Sequence, residues 1–224
     1  MEMVALGDTH TRHQGIKLGE VDLAVFTGDA LNLFVAKSEA DLWEQLEAFA
    51  RWLNARAKAS IFVPGNHDKV FEIDEARARK MLGGRVSVLI DEGVEIDGVK
   101  IYGSPWQPEF MSGHAYVLKR GLSLAEKWAK IPEDTDLLVT HGPPMGVGDF
   151  NGTEHVGDEN LALVLKRRVH PPLNIFGHIH GAWKEGVVGQ TMCINVSSYD
   201  GKWAAREPLA LSVAAKEVGS LGVG

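Results

Sequence analysis

Five short apolar runs in the sequence each end in side chains that can bind a metal ion. The endings, in chain order, are Gly7-Asp8-Thr9-His10, Thr27-Gly28-Asp29, Pro64-Gly65-Asn66-His67-Asp68, Thr140-His141 and Gly177-His178-Ile179-His180. A short apolar run bounded by turn residues is typical of a buried β-strand. In open α/β sheets, ligands bind beyond the carboxyl ends of the strands. The sequence therefore predicts that these endings meet at one sheet edge and form a dinuclear metal site.

Each ending has a plainer interpretation when it is taken alone. Asp-Thr-His is more often a turn than a pair of ligands, and Gly-Asp by itself carries almost no information. Gly-Asn-His-Asp and Gly-His-x-His are rarer, and five such endings in order are very improbable by coincidence. Cys193 is the sole cysteine, so the ligands must be oxygen and imidazole rather than thiolate. This ligand set suits Mn²⁺, Fe or Zn²⁺, and the sequence does not choose among them.

The rest of the pattern predicts an α/β protein. Helices are expected over residues 38–57, 74–82, 123–130 and 157–169, with Ser38 as an N-cap and Ser123 with Glu126 as a capping box. The turn at Asp97-Gly98 predicts an antiparallel hairpin of residues 94–96 with 99–102, so the strands form a mixed sheet or two sheets. The length fits a single domain, expected over residues 1–218, with a frayed tail at 219–224.

Charge and hydropathy limit the classes of partner that the sequence predicts. The chain has 23 Lys and Arg against 30 Asp and Glu, a net charge of −7, which argues against an extended nucleic-acid footprint. The N-terminus lacks the pattern of a signal peptide, and no apolar stretch approaches the roughly 20 residues of a membrane span. A cytoplasmic protein without a membrane partner is expected, and its oligomeric state is left open.

The sequence resembles the calcineurin-like metallophosphoesterases. All five blocks of that family occur in family order between Asp8 and His180. The likeness is closest to the metallophosphoesterase-domain-containing (MPPED) group. The stretches that carry this likeness are Gly7-Asp8-Thr9-His10-Thr11-Arg12, Tyr102-Gly103-Ser104-Pro105-Trp106-Gln107-Pro108 and Thr140-His141-Gly142-Pro143-Pro144. The fold that the resemblance implies is a four-layer α/β/β/α sandwich of two mixed β-sheets flanked by helices.

The resemblance also implies a role for each residue of the five endings. One ion would be bound by Asp8, His10 and His180, the other by Asn66, His141 and His178, and Asp29 would bridge the two. His67 would face the phosphate and stabilise or protonate the leaving oxygen, with Asp68 orienting its imidazole. Two ions can lower the pKa of a bridging water, and the resulting hydroxide would attack phosphorus.

These expectations point to a phosphoesterase that hydrolyses a small phosphodiester, with a cyclic nucleotide as the leading substrate. Arg12, just beyond the first ending, could pair with the phosphate, although an ordinary surface charge is the alternative. Trp106 could stack on a nucleobase, or its loop could merely cover the sheet edge. Two further hypotheses stay open: a nuclease or phosphomonoesterase on the same fold, and a metal- or nucleotide-binding scaffold with weak or no turnover.

Overall fold

The central strands of two sheets are buried on both faces, as at residues 137–140 and 173–176, where every residue is buried. The structure is a computed structural model, and it describes residues 1–214. The predicted domain end at 218 and the tail from 219 lie outside these residues. The strands are β1 Glu2–Leu6, β2 Val21–Phe26, β3 Ala57–Phe62, β4 Val86–Val88, β5 Glu92–Ile96, β6 Val99–Ser104, β7 Gln107–Pro108, β8 Val117–Leu118, β9 Leu137–Thr140, β10 Leu173–Phe176, β11 Glu185–Val188, β12 Thr191–Asn195 and β13 Leu209–Ser212. The helices are α1 Glu39–Asn54, α2 Val70–Ile73, α3 Glu75–Leu82, α4 Leu122–Trp128 and α5 Glu159–Arg167.

Both large sheets are mixed, and their inner strands are parallel. The first has the order β13-β1-β2-β3-β4, in which only β13 pairs antiparallel. The second has the order β11-β12-β10-β9-β6-β5, with antiparallel pairing at the two edge strands β11 and β5. The strands β7 and β8 form a separate two-stranded ribbon. The carboxyl ends of β1, β2 and β3, like those of β9 and β10, therefore lie at a common edge of their sheet.

Three apolar clusters establish the layers. One lies between the first sheet and helices α1 to α3, and includes Phe26, Phe49 and Phe71. A second lies between the two sheets, where Val25 of β2 and Val139 of β9 are both fully buried. The third packs α4 and α5 on the outer face of the second sheet and contains the buried Cys193. The predicted four-layer α/β/β/α sandwich is confirmed.

The helix starts predicted at Ser38, as an N-cap, and at Asp74 are confirmed. The Ser38 hydroxyl accepts a hydrogen bond from the Asp41 amide at the start of α1, and the Asp74 carboxylate caps α3 in the same way. Helix α1 ends at Asn54, three residues before the predicted end, because Ala57 already begins the paired strand β3. The predicted hairpin is also present as β5 and β6.

Three local predictions were wrong. Helix α4 begins at Leu122 after Gly121, and no side chain caps it, so the predicted capping box of Ser123 and Glu126 does not form. The segment 102–110 was predicted to be a loop, but its first residues extend β6, because they pair with both β5 and β9. Helix α5 begins at Glu159 rather than at residue 157, since the Asp158 carboxylate accepts from the Leu161 amide.

Within residues 1–214 the longest helix is α1, and neither it nor any other described helix has the length and apolar content to span a membrane.

Candidate metal centre

The five predicted endings come together, but they lie at the carboxyl edges of two sheets and not at one sheet edge, because β9 and β10 belong to the second sheet. Strands β1, β2 and β3 deliver Asp8, Asp29 and Asn66, and strands β9 and β10 deliver His141 and His178. Three overlapping groups have ligand atoms that all lie within 4.8 Å of one another. They are Asp8 with His10 and His180, His10 with Asp29 and His67, and Asp29 with His141 and His178. These groups make the edge a candidate site for divalent metal ions.

The backbone at this edge adopts unusual conformations. The φ angles of Asp8, His10, Asp29 and His178 are 53°, 42°, 56° and 67°, all in the left-handed region that non-glycine residues rarely occupy. Such strain costs roughly 1–3 kcal/mol per residue and is concentrated at functional sites. Four of the seven predicted metal ligands carry it, which supports a functional rather than a stabilising purpose for this edge.

The hydrogen bonds of His141 show that the side chains suit a cation. Its ring Nδ1 lies 2.8 Å from the Thr27 carbonyl oxygen, which can only accept, so Nδ1 carries the proton. The other ring nitrogen, Nε2, is therefore a lone-pair atom, yet it lies 2.8 Å from Asn66 Oδ1 and 3.6 Å from Asp29 Oδ2. Acceptor atoms that face one another so closely need a cation or a proton between them.

Protons do not fill that need on His10, His141 and His178. Burial, with repulsion from neighbouring imidazoles, lowers the pKa of His10 to about 3 and lowers the pKa values of His141 and His178. His10 Nε2 and His180 Nε2 face each other at 3.0 Å. Neutral imidazole is the form that binds metals. The donor set of carboxylate, amide and imidazole atoms fits divalent metal ions.

The two carboxylates of the centre are perturbed in opposite directions. Burial by itself raises the pKa of Asp8, but the hydrogen bond and attraction of His180 outweigh it and hold this pKa well below its usual range. Burial and repulsion from Asp68 and Asp8 raise the pKa of Asp29 well above its ordinary value. In residues 1–214, the ion pairs of Asp8 and Asp29 are made with histidines alone. A bound cation would stabilise the charged form of both.

Glycines let the backbone approach these carboxylates. Gly28 has a φ of 97°, and a methyl group built on it would lie 2.5 Å from the Gly65 amide nitrogen. Gly177 allows the loop after β10 to pass against Asp8, whose two oxygens accept hydrogen bonds from the His178 amide at 3.0 and 3.1 Å. The close approach at Gly177 therefore sets the position of a predicted ligand.

We expect a Gly177→Ala substitution to weaken metal binding by roughly 10- to 100-fold, as loss of other groups that position ligands does. The added methyl group would lie 2.1 Å from Asp8 Oδ2, so the carboxylate would have to move. Titration of the metal-free protein with Mn²⁺ measures the effect. Gly181→Ala, in the same loop but with nothing within 4 Å of the added methyl, is the matched control and should bind normally. Unchanged affinity in Gly177→Ala would contradict this account of Asp8.

His67 lies against the metal centre, and its orientation comes from an unexpected partner. The Leu33 amide donates to His67 Nδ1 at 3.0 Å. Asp68, which was predicted to orient this ring, instead accepts from the amides of Asp29, Leu31 and Gly65 at 2.8, 3.0 and 2.7 Å. Asp68 thus holds the backbone of the β2 and β3 endings in place, and its effect on the His67 imidazole is indirect.

Arg12 and Trp106, the two predicted substrate contacts, lie in different surroundings. The Arg12 guanidinium is exposed and sits 4.6 Å from the ring centre of Trp203, which itself contacts the ring of His10. Trp106 donates from Nε1 to Asp91 at 3.0 Å, and Lys127 Nζ lies 3.7 Å from its ring centre. These contacts of Trp106 match the structural alternative, in which its loop covers a sheet edge.

Several residues at the centre were missed in the sequence. The Trp203 ring packs 5.5 Å from His10 and 5.3 Å from His180, Phe34 packs 5.0 Å from His67, and Phe110 packs 5.2 Å from His178. His114 lies 5.1 Å from His67 but adjoins none of the five endings. Asp200-Gly201 marks a turn before Trp203, which is the only local signal for any of these positions.

The chain is similar to known proteins in sequence and in structure. The model of the family described as calcineurin-like phosphoesterase matches residues 3–182. The human metallophosphoesterase domain-containing protein 1 is 32% identical, and the match covers 87% of this chain and 65% of that protein. A UPF0046 protein of Caenorhabditis elegans is 30% identical, over 95% of this chain and 81% of its own length. One solved structure superimposes with a TM-score of 0.65 at 20% identity, covering 87% of this chain and 89% of the other.

Proposed function

The chain belongs to the calcineurin-like phosphoesterase family, and from this membership we propose that it hydrolyses a small phosphodiester, a cyclic nucleotide, with two bound metal ions. The chain spans 65% of the length of its human relative. The proposed activity therefore depends on this chain's own residues as well as on its family. Membership of the family supports a metal-dependent phosphoester hydrolase. The choice of a diester, of a nucleotide and of two ions is the proposal.

The observation that carries the proposal is the overlap of the three ligand groups. Asp29 belongs to two of them, and its Oδ2 lies 3.5 Å from His10 Nε2 and 3.6 Å from His141 Nε2. A carboxylate between two sets of imidazoles is the arrangement that a pair of ions sharing one ligand needs. We assign Asp8, His10 and His180 to one ion and Asn66, His141 and His178 to the other. Two such cations would supply Lewis acidity that activates water and neutralises phosphate charge.

The chain's own contribution at the reacting phosphate is His67. Its Nδ1 accepts from the Leu33 amide, so the neutral ring carries its proton on Nε2. Burial, and then repulsion from His10, lowers the pKa of His67 far below its ordinary value, which keeps the ring neutral at pH 7. The Nε2–H group can therefore donate a hydrogen bond to the leaving oxygen, where negative charge develops.

Size and charge support a small diester over a polymer. The net charge of −7 disfavours the binding of an extended nucleic acid. The resemblance to the MPPED group favours cyclic nucleotides over phosphoproteins. Arg12, which lies on Trp203 beside the first ligand group, is the cationic side chain that we propose as a further contact of the phosphate.

The test is a substrate panel with the Mn²⁺-loaded protein. We expect turnover of 2′,3′- or 3′,5′-cyclic nucleotides and of bis(p-nitrophenyl) phosphate, and slower turnover of simple monoesters. Hydrolysis of monoesters alone would overturn the diesterase assignment. Preferred cleavage of RNA or DNA would support a nuclease, and bound metal without turnover of any ester would support the scaffold hypothesis.

A further inference from the structure

Three exposed aromatic rings surround the metal centre. Phe34, Phe110 and Trp203 are 71%, 53% and 39% exposed, and each packs against an imidazole of the centre or against His67. Scattered apolar residues on a surface need no explanation, but an apolar rim around a polar concave site marks a place where a ligand is bound.

The three rings differ in the space beside them. The guanidinium of Arg12 already covers the Trp203 ring at 4.6 Å. Phe110, by contrast, lines a cavity of about 840 Å³ that also reaches His178, one of the proposed ligands. The apolar side chains of Met145 and Ile179 line the same cavity. A group attached to a phosphate at the metal centre would thus reach the exposed Phe110 ring.

The polar groups of this cavity favour an uncharged ligand over a second anion. Its one arginine, Arg120, is occupied by Glu159 at 2.6 Å and by two backbone carbonyl oxygens at 2.7 Å. His155 holds its Nδ1 2.7 Å from the buried Asp149 carboxylate. Glu109 and Glu154 contribute carboxylate oxygens to the lining. Such a cavity repels further phosphates and suits a planar heterocycle with N–H donors.

We infer that Phe110 and this cavity form the subsite for the nucleobase of the substrate, with the base stacked on the Phe110 ring. This inference rests on the proposed function, since the phosphate must lie at the metal centre for its nucleoside to reach Phe110. It assigns base recognition to the rim beside His178 and not to Trp106, whose ring is enclosed by Lys127 and Asp91.

The kinetic test is a Phe110→Ala substitution assayed on two cyclic esters. Base–aromatic stacking corresponds to roughly 5- to 150-fold in affinity. We expect KM for a nucleoside 2′,3′-cyclic phosphate to rise about tenfold while kcat stays within about twofold. The kcat/KM for glycerol 1,2-cyclic phosphate, which has the reacting group but no base, should not change. Equal losses on the two esters, or no loss on either, would overturn the inference.

Two control variants test whether the change in KM comes from the loss of the ring or from a disturbed structure. Phe110→Tyr keeps a ring and should restore the wild-type KM for the nucleotide. Leu122→Ala removes another exposed apolar side chain, at the start of α4, and should leave both esters unaffected. If Phe110→Tyr is as impaired as Phe110→Ala, ring stacking is not the interaction.

Equilibrium binding separates this inference from the proposed function. With the Mn²⁺-loaded protein in a calorimeter, AMP should bind more tightly than ribose 5-phosphate, and Phe110→Ala should remove most of that difference. If the wild-type protein hydrolyses no diester but shows this pattern, the subsite stands and the diesterase proposal fails. If AMP and ribose 5-phosphate bind the wild type equally, or Phe110→Ala leaves their difference intact, the subsite is wrong whatever the activity.

Discussion

An Asp29→Asn substitution is expected to lower kcat/KM by about 10³-fold, or roughly 4 kcal/mol of transition-state stabilisation, and to reduce the bound metal from two ions to one at most. Asp29 lies between the two proposed metal positions and is the one ligand that both would share. Metal analysis of the purified protein and the cyclic nucleotide assay measure the two effects.

The geometry decides how the amide would be oriented. Asp29 Oδ1 accepts a hydrogen bond from the His67 amide at 2.8 Å, so the new side chain must keep an oxygen at that position. Its NH₂ group would then take the place of Oδ2 and face Nε2 of His10 and His141, which lie 3.5 and 3.6 Å from that oxygen. A donor group directed at the metal positions repels cations. The substitution therefore removes a negative charge and also places the wrong partner in the site.

The metal-free variant should be at least as stable as the wild-type protein. Burial and repulsion from Asp68 and Asp8 raise the pKa of Asp29, which means that its charge destabilises the metal-free fold. A neutral amide relieves that cost, so the midpoint of thermal unfolding without metal should stay equal or rise. Sites selected for function commonly show this exchange of stability against activity.

Asp22→Asn is the matched control for Asp29→Asn. Asp22 is on the same strand, β2, but its side chain is exposed, and within residues 1–214 its ion pair is with Lys58 at the surface. Exposed ion pairs contribute about 0–1 kcal/mol, so turnover and metal content should match the wild type. Wild-type turnover with two ions in Asp29→Asn would show that this carboxylate is not a shared ligand.

The residues of the candidate metal centre could be predicted from sequence because their chemistry and their backbone position are both local properties. Each follows an apolar run, and the parallel strands of each sheet bring their run ends to one edge of that sheet. The packing of the two sheets, which the sequence does not encode locally, brings the two edges together. The hairpin at Asp97-Gly98 was predictable for the same reason, since two neighbouring residues specify the turn. The helix start at Ser38 and the hairpin are encoded by adjacent residues and were recovered, whereas the four-layer order was predicted only from the resemblance to the family.

The rim of the site could not be predicted in this way. Trp203 reaches His10 from a turn near the far end of the described chain, and its contact depends on how two distant loops pack. Phe110 and Trp106 lie on either side of the short strand β7, and their surroundings look alike in sequence. Only the fold shows that Trp106 is enclosed by Asp91 and Lys127 while Phe110 stays exposed beside His178. Substrate selectivity depends on such long-range contacts.

The start of α4 also could not be predicted from neighbouring residues alone. Ser123 and Glu126 fit a capping box, yet α4 begins one residue earlier without a side-chain cap. The helix is held instead by burial of Leu124 and Trp128, and the Trp128 Nε1 donates to Asp158 at 2.7 Å. Tertiary packing of one helix against the next thus overrides a local capping signal that stabilises by about 1 kcal/mol.

A His67→Ala substitution should lower kcat by about 10²–10³-fold while both metal ions stay bound, which is the size of effect seen when one preorganised donor is lost. The neutral ring donates from Nε2 because the Leu33 amide occupies Nδ1. Its donor can therefore stabilise charge on the leaving oxygen without a prior change of protonation. The kcat of the variant and the affinity for Mn²⁺ of the metal-free protein are the two measurements.

The dependence on the leaving group distinguishes this role from metal binding. If His67 stabilises the leaving oxygen, its loss should slow cyclic nucleotides, with their basic alkoxide leaving groups, more than bis(p-nitrophenyl) phosphate, whose leaving group needs little help. His67→Gln, which retains an N–H donor, should recover part of the rate. His170→Ala is the control, because His170 contacts the Leu165 carbonyl near the end of α5 and should leave kcat unchanged. Equal losses on both esters together with weaker Mn²⁺ binding would instead make His67 a metal ligand, since its ring belongs to the group formed by His10 and Asp29.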